Sequence, residues 1–144
     1  MSSMKDKCFL DTNLFIYAID ISPELKKKRE ISRDLIKKNI QNETGVISIQ
    51  VLQEFYQVST HKIQVPLSSE EALEYLHYMA VLDTVHPEFD MIVAGIHLHE
   101  KHSISFWDAL IIQAALTAGC TRLLSEDLQH GFEIDRLTVE NPFL

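Results

Sequence analysis

The chain has 144 residues, of which 46% are hydrophobic and 24% are charged, and its formal net charge is −8. This length suits one domain, residues 1–144, with room for a buried core. No apolar run approaches the roughly 20 residues of a membrane-spanning helix, so we expect no membrane contact. The N-terminal residues lack the apolar stretch of a signal peptide, which predicts a cytoplasmic protein. Cys8 and Cys120 have apolar neighbours, which indicates reduced core residues.

The first third of the chain alternates short apolar segments with helical patterns. Residues 7–10 predict a buried strand, and Thr12 or Asn13 is placed to cap the helix that follows. A second helix is expected over 24–40, and a second strand over 46–48. Apolar residues then recur every three and four positions, which predicts a third helix with an apolar stripe of Val51, Leu52, Phe55 and Val58.

The same alternation continues to the end of the chain. Ser68 and Glu71 form a capping box for a helix, and a short extended piece follows at 84–85. A further helix carries one apolar face, made of Phe89, Ile92, Val93 and Ile96. Ser105 is placed to cap a helix over 106–118 that is apolar nearly all round, which predicts burial on several sides. Gly119 ends that helix, and strands are expected over 121–124 and 137–139.

Strands that alternate with helices predict an α/β fold. We expect a central parallel sheet flanked by helices on both faces, because the connections between parallel strands are right-handed crossovers. Ligands of such sheets bind beyond the carboxyl ends of the strands. Asp11 follows the first predicted strand and Asp127 the third, while Asp108 lies in the first turn of its helix. The sequence therefore predicts that acidic side chains converge at one edge of the sheet.

Four acidic residues stand where predicted strands or helices would carry apolar side chains: Asp11, Glu54, Asp108 and Asp127. A buried carboxylate is costly unless it is paired or bound to a cation. Sites built only of oxygen ligands suit Mg²⁺ or Mn²⁺, which can activate a water molecule as a nucleophile. This pattern favours a metal-dependent phosphodiester hydrolase. Ser125 and Asn13 are candidates to orient the ligands, and Glu126 is an alternative to Asp127.

A cationic segment gives a possible contact for a phosphate backbone. Seven of the 13 lysines and arginines fall between Lys26 and Lys38, and they begin with a run of four: Lys26, Lys27, Lys28 and Arg29. Such a patch next to an acidic centre suits nucleic acid. The alternative is an ordinary solvated helix face. The net charge of −8 argues against tight non-specific binding of nucleic acid, which depends on neutralising phosphates.

The segments around the four acids resemble the motifs of PIN-domain ribonucleases. In chain order these segments are Leu10-Asp11-Thr12-Asn13, Gln53-Glu54-Phe55-Tyr56, Trp107-Asp108-Ala109-Leu110-Ile111 and the run from Leu124 to Gly131. The chain is most similar to the VapC-type toxins of bacterial toxin–antitoxin pairs. The resemblance implies a PIN-like three-layer sandwich, Mg²⁺ or Mn²⁺, endonucleolytic cleavage of RNA, a homodimer and a small cognate antitoxin. It places the acidic catalytic and metal-binding positions at Asp11, Glu54, Asp108 and Asp127, with Thr12, Asn13 and Ser125 at its polar positions.

Two other functions stay open at this point. The chain could be a catalytically silent PIN-like module that binds RNA or protein, or a hydrolase that acts on DNA or small phosphoesters. A zinc site at His97, His99 and His102 is disfavoured, because His97 and His99 point to different faces of a helix. Trp107, with Phe15 and Tyr17, is expected to pack in the core and not to stack on bases. The helices that carry 73–82 and 89–96 offer apolar surfaces for a second copy or an antitoxin.

Overall fold

The computed structural model describes residues 5–144, and residues 1–4 of the polar N-terminal segment lie outside the described part. The strands are β1 (Cys8–Leu10), β2 (Gly45–Ser48), β3 (Asp83–Val85), β4 (Arg122–Leu124), β5 (Glu133–Ile134) and β6 (Leu137–Glu140). The α-helices are α1 (Thr12–Ile19), α2 (Lys26–Gln41), α3 (Ile49–His61), α4 (Ser69–Met79), α5 (Phe89–His102) and α6 (Phe106–Thr117). A 3-10 turn, Pro23–Leu25, precedes α2.

The six strands form one sheet in the order β3-β2-β1-β4-β6-β5. Every neighbouring pair is parallel except β5 and β6. From β1 to β3 the chain adds strands toward one edge of the sheet. The connection from β3 to β4 then crosses back to the other side of β1. Right-handed crossovers therefore place α1 to α4 on one face and α5 with α6 on the other. The predicted α/β fold, with a central parallel sheet flanked by helices, is confirmed.

The central strand β1 fixes the position of the acidic edge. All three of its residues are buried, and Phe9 pairs with Val46 of β2 and Leu123 of β4. A parallel strand covered on both faces is apolar throughout, which explains the run Cys8-Phe9-Leu10. The backbone N–H of Asp11 donates to the Leu124 carbonyl at 3.0 Å, so the ladder continues one residue beyond β1. Asp11, Ser48 and Ser125 thus lie at the same edge of the sheet.

Helix α6 forms as the sequence predicts, with one exception. The Ser105 hydroxyl accepts a hydrogen bond from Asp108 N, and Gly119 follows the helix with a positive φ of 75°. Residues 109–112 are buried between α5 and the sheet. Trp107, however, is 64% exposed, so the prediction that it packs in the core is wrong. Its position in the first turn of α6 leaves its ring outside the core.

Two other expectations about local structure need correction, and one short strand was not predicted. Asp11, not Thr12 or Asn13, is the N-cap of α1: its side chain accepts a hydrogen bond from Thr12 N, and the helix begins at Thr12, two residues before the first apolar residue of the pattern, Leu14. The helix expected over 24–40 begins as the Pro23–Leu25 turn. The short strand β5 had no predicted counterpart, because its two-residue connection to β6 places Asp135 at φ 52° without a glycine.

Other local predictions agree with the structure. The Ser68–Glu71 capping box is present on α4, with both of its hydrogen bonds. Cys8 and Cys120 are free and buried, and burial raises the thiol pKa to about 11 for Cys8 and to about 12 for Cys120. Among residues 5–144 no helix has the length and apolarity to cross a bilayer.

Candidate acidic site at the carboxyl edge of the sheet

Asp11 is the most constrained of the four predicted acids. It leaves β1 in an extended conformation and caps α1, where its Oδ1 accepts a hydrogen bond from Thr12 N at 2.8 Å. Its Oδ2 accepts from the Ser125 hydroxyl at 2.7 Å. The side chain is only 6% exposed. Both carboxylate oxygens are therefore held by donors from two different segments of the chain.

All four predicted acids line a single cavity of about 420 Å³: its lining is Asp11, Gln50, Gln53, Glu54, Trp107, Asp108, Ile111 and Asp127. Asp11 comes from the end of β1, Glu54 from α3, Asp108 from the first turn of α6, and Asp127 from the loop after β4. The parallel sheet brings these distant segments together because the carboxyl ends of β1, β2 and β4 share one edge. The catalytic and metal-binding roles of these acids stay predictions.

Each of the three predicted polar residues contacts one of the acids. Ser125 donates to Asp11 and also accepts from Asp127 N at 3.2 Å. The Thr12 hydroxyl donates to Glu54 Oε2 at 3.4 Å. The Asn13 amide donates to Asp127 Oδ2 at 3.2 Å. The supporting residues therefore link acids that are far apart in the sequence.

Gln50 is a further part of the site that the sequence analysis missed. Its Nε2 donates to Glu54 Oε1 at 2.7 Å and to the carbonyl of Trp107 at 3.2 Å. Gln50 lies four residues before Glu54 on α3, which is the spacing that places two side chains on the same helix face. That spacing was the available signal. Glu54 thus has a donor on each oxygen, Gln50 on one and Thr12 on the other.

The site is electrostatically strained. Removal from water, together with the smaller effect of the nearby carboxylates of Glu54 and Asp127, raises the pKa of Asp11 from 3.8 to about 6. The hydrogen bonds from Ser125 and Thr12 lower the pKa but do not offset the desolvation. At neutral pH the folded chain therefore holds a buried negative charge beside other acids. Such a site favours a positive group in the cavity.

The comparisons with known proteins agree with this architecture. The model of the PIN domain family matches residues 8–133. The chain belongs to the PIN domain family. Comparison with curated proteins gave no match.

Three solved structures share the fold of this PIN domain at low sequence identity. VapC20 from Mycobacterium tuberculosis, a sarcin–ricin loop cleaving toxin, is 14% identical, with a TM-score of 0.65 over 81% of this chain and 87% of that one. A toxin–antitoxin complex from Klebsiella pneumoniae is 14% identical, with a TM-score of 0.67 over 94% and 98%. VapBC2 from Rickettsia felis, bound to a DNA fragment from their promoter, is 21% identical, with a TM-score of 0.66 over 93% and 97%.

The donor chemistry of the cavity fits a hard divalent cation. Of residues 5–144, the groups of its lining that could bind a cation are carboxylates and the amides of Gln50 and Gln53, with neither a thiol nor an imidazole. Oxygen ligands of this kind suit Mg²⁺ or Mn²⁺ and disfavour zinc. Among residues 5–144, no three His, Cys, Asp or Glu side chains are arranged so that they could hold one ion. The acids therefore surround a common space without forming a closed ligand shell.

The cationic run at the start of α2 is divided between internal and exposed side chains. Lys28 forms an ion pair with Glu126 at 2.6 Å, and Arg29 donates to the carbonyls of Asp20 and Ser22. Lys26 and Lys27 are exposed. Two of the four predicted RNA contacts are thus engaged within the chain, and binding of RNA by this run stays a prediction.

Glu126 belongs to a cluster that supports the loop carrying Asp127. The Tyr17 hydroxyl donates to Glu126, whose other oxygen receives the Lys28 ammonium. The same ammonium lies 4.9 Å from the centre of the Tyr17 ring and 5.6 Å from that of Phe143. These contacts use the Glu126 carboxylate, so it is less suited than Asp127 to serve in the cavity.

The histidines of α5 are not part of the site. His99 Nδ1 contacts the carbonyl of Ile104, and the His102 ring packs edge-on against Phe132. His97 is exposed. Within residues 5–144 these three do not form a metal-binding group.

Proposed function

We propose that this PIN domain is a Mg²⁺- or Mn²⁺-dependent endoribonuclease and the toxin of a toxin–antitoxin pair. The observation that carries the proposal is the single cavity at the carboxyl edge of the sheet, lined by all four acids. The similar solved structures named above support the toxin assignment by analogy of fold. A catalytically silent module is disfavoured, because such a module has no need to bury Asp11 at an energetic cost.

In the proposed site the four acids would hold the cation, and Asp11 is the buried one among them. Both Asp11 oxygens are already fixed by Thr12 N and Ser125, so its position is set before substrate arrives. Gln50 and Thr12 orient the Glu54 carboxylate, and Asn13 orients that of Asp127. Such preorganisation reduces the entropy lost in reaching the reactive geometry. When bound, Mg²⁺ or Mn²⁺ would activate water and stabilise the charge that develops on the phosphodiester.

The substrate is proposed to approach along the first turn of α2. Lys28 contacts Glu126, the sequence neighbour of Asp127, so the start of α2 lies beside the loop that carries Asp127. The exposed Lys26 and Lys27 are available there for backbone phosphates. With a net charge of −8, the chain depends on such local cations and on the bound metal for its attraction to RNA.

The antitoxin is proposed to bind a separate apolar cavity of about 400 Å³ between α1, α2, α3 and α4. Its lining includes Phe15, Phe55 and Met79, with Arg33 and Lys37 among them. An amphipathic helix with acidic residues beside its apolar stripe would complement this surface. The exposed apolar residues Phe89, Ile92 and Ile96 along α5 are proposed to contact a second copy of the chain.

The central experiment compares purified parent protein with Asp11→Asn and with the control Asp6→Asn, which changes an exposed acid outside the cavity. Each is incubated with RNA, single-stranded DNA or mononucleotides, with Mn²⁺, Mg²⁺ or a chelator. We expect the parent protein to cleave RNA, but not DNA or mononucleotides, and only when metal is present. Asp11→Asn should lose this activity and Asp6→Asn should keep it. Equal cleavage of DNA would change the substrate class. RNA binding without cleavage under any metal would establish the silent module instead.

Growth after expression tests the toxin assignment. Parent and Asp6→Asn should arrest growth, whereas Asp11→Asn should not. Growth arrest by Asp11→Asn, at equal levels of folded protein, would contradict a mechanism based on these acids.

A further inference from the structure

A second cavity, of about 360 Å³, adjoins the acidic cavity. It lies between the end of β2, α3, α5 and α6, and it shares Gln50, Gln53 and Trp107 with the acidic cavity. No charged side chain of residues 5–144 belongs to its lining. A group bound there would therefore sit beside the reacting centre without meeting a formal charge.

Trp107 forms the boundary between the two cavities. Its side chain is 64% exposed, although it directly precedes Asp108 in the first turn of α6. The Phe106 ring lies edge-on to it at 5.2 Å, and Gln50 binds its carbonyl oxygen. An exposed indole supported in this way presents an aromatic face to solvent at the edge of the site. Aromatic side chains so placed stack on nucleobases regardless of base identity.

The lining also supplies uncharged polar groups. The hydroxyl of Ser48 is buried and makes no hydrogen bond within the described part of the chain. A buried polar group without a partner is unusual and calls for an explanation. The amides of Gln50 and Gln53 lie in the same lining. Apolar walls with a few neutral donors and acceptors suit a flat ring with a polar edge, and they do not suit a phosphate or a carboxylate.

We propose that this second cavity, with Trp107 at its mouth, binds a nucleobase of the RNA next to the phosphate that is cut. The inference rests on the proposed function, because the RNA must be held in the acidic cavity for its neighbouring base to reach Trp107. The base stacks on the indole, and Ser48 contacts its polar edge. The cavity thus selects which phosphodiester bond enters the acidic cavity.

Trp107 is the only tryptophan of the chain, so its fluorescence reports the proposed contact directly. In a buffer that contains a chelator, the parent protein is titrated separately with adenosine, guanosine, cytidine and uridine. Ribose is the control probe, because it lacks a base. We expect the nucleosides to quench the fluorescence and ribose to leave it unchanged. Absence of quenching by all four nucleosides would overturn the proposal.

Binding of a fluorescently labelled single-stranded RNA, measured by anisotropy in a chelator, tests the stacking. Loss of one stacked base weakens binding by roughly 5- to 150-fold, and Trp107→Ala should fall in this range. Trp107→Phe keeps an aromatic face and should bind RNA nearly as the parent does. Equal affinity of the parent and Trp107→Ala would refute the stacking contact. Circular dichroism melting verifies that each variant is folded.

Ser48 has a matched control in Ser32, whose buried hydroxyl also has no hydrogen-bond partner among residues 5–144 but which lies on α2, outside this cavity. Ser48→Ala should change the order in which the four nucleosides bind, whereas Ser32→Ala should not. If both variants keep the order of the parent, Ser48 does not read the base and that part of the proposal is wrong.

Three results separate this inference from the proposed function. If Trp107→Ala cleaves RNA at the same sites and rates as the parent, the proposed nucleobase site is wrong and the proposed nuclease function stands. Nucleoside quenching without metal-dependent cleavage would support the nucleobase site and remove the nuclease. A fall in sedimenting mass from dimer to monomer in Trp107→Ala would show that the indole packs between copies of the chain, which overturns the inference.

Discussion

Replacing Asp11 by asparagine should stabilise the metal-free protein at pH 7.5 by about 2 kcal/mol. Burial raises the pKa of Asp11 from 3.8 to about 6. Each pKa unit corresponds to about 1.4 kcal/mol, so ionising this carboxyl in the folded chain costs about 3 kcal/mol more than in the unfolded chain. Asparagine avoids that cost but cannot accept from both Thr12 N and Ser125, which subtracts about 1 kcal/mol.

The pH dependence of this difference follows from the direction of the pKa change. The folded chain keeps the Asp11 proton up to about pH 6, whereas the unfolded chain loses it near its ordinary value of 3.8. Between these values the folded state binds more protons, so the free energy of unfolding of the parent falls as pH rises. Above about pH 6 the destabilisation caused by the buried Asp11 charge is constant, and below pH 3.8 it is absent. The advantage of Asp11→Asn should therefore vanish near pH 3.5.

Urea unfolding in a chelator, followed by circular dichroism from pH 3.5 to 7.5, measures this difference. Asp6→Asn is the control, since Asp6 is exposed and should show no comparable pH-dependent gain. An Asp11→Asn variant that is less stable than the parent at pH 7.5 would refute the argument from desolvation. A gain of equal size at pH 3.5 and 7.5 would also refute it, because the effect would then not depend on the charge.

Three further outcomes are expected. Ser125→Ala should lower the free energy of unfolding at pH 7.5 by about 2 kcal/mol, because it removes a hydrogen bond to a buried carboxylate. Urea unfolding should show a smaller loss for this variant at pH 4, and little loss for the control Ser32→Ala. Mn²⁺ should raise the melting temperature more at pH 7.5 than at pH 5, where Asp11 holds its proton, and equal rises at both values would exclude Asp11 as a ligand. Lys28→Met should reduce RNA cleavage, because the Lys28–Glu126 ion pair supports the loop that carries Asp127, and it should cost less than about 1 kcal/mol in urea unfolding, because the pair is partly exposed. Lys26→Met, which loses one phosphate contact and leaves that loop supported, should cleave RNA better than Lys28→Met.

Periodicity predicted the architecture because burial dominates in the strands and in α6. The run Cys8-Phe9-Leu10 can only be a strand covered on both faces, and the apolar helix after Ser105 can only be an internal one. Periodicity is a weaker guide at α2, where Ser32 and Asn39 are buried while Ile40 is 44% exposed. There the side of the helix that packs is set by neighbouring helices, which a local pattern does not report.

The candidate site divides in a similar way. The four acids were predictable because a carboxylate after an apolar strand conflicts with its surroundings. Their supporting contacts were less visible, because they join segments such as Asn13 and Asp127 that only the sheet brings together. The exposure of Trp107 was missed because a local apolar pattern does not show which side of the first turn of α6 stays uncovered.

The buried thiol of Cys8 makes the opening of the sheet directly measurable. Cys8 stands three residues before Asp11 on the central strand, and with a pKa of about 11 it carries almost no thiolate at neutral pH. An alkylating reagent can modify Cys8 only when β1 is exposed. The rate of modification therefore measures how often β1, the strand that precedes Asp11, opens. A comparison of this rate with and without an added divalent cation thus shows how much the cation slows the opening of β1, without any introduced label.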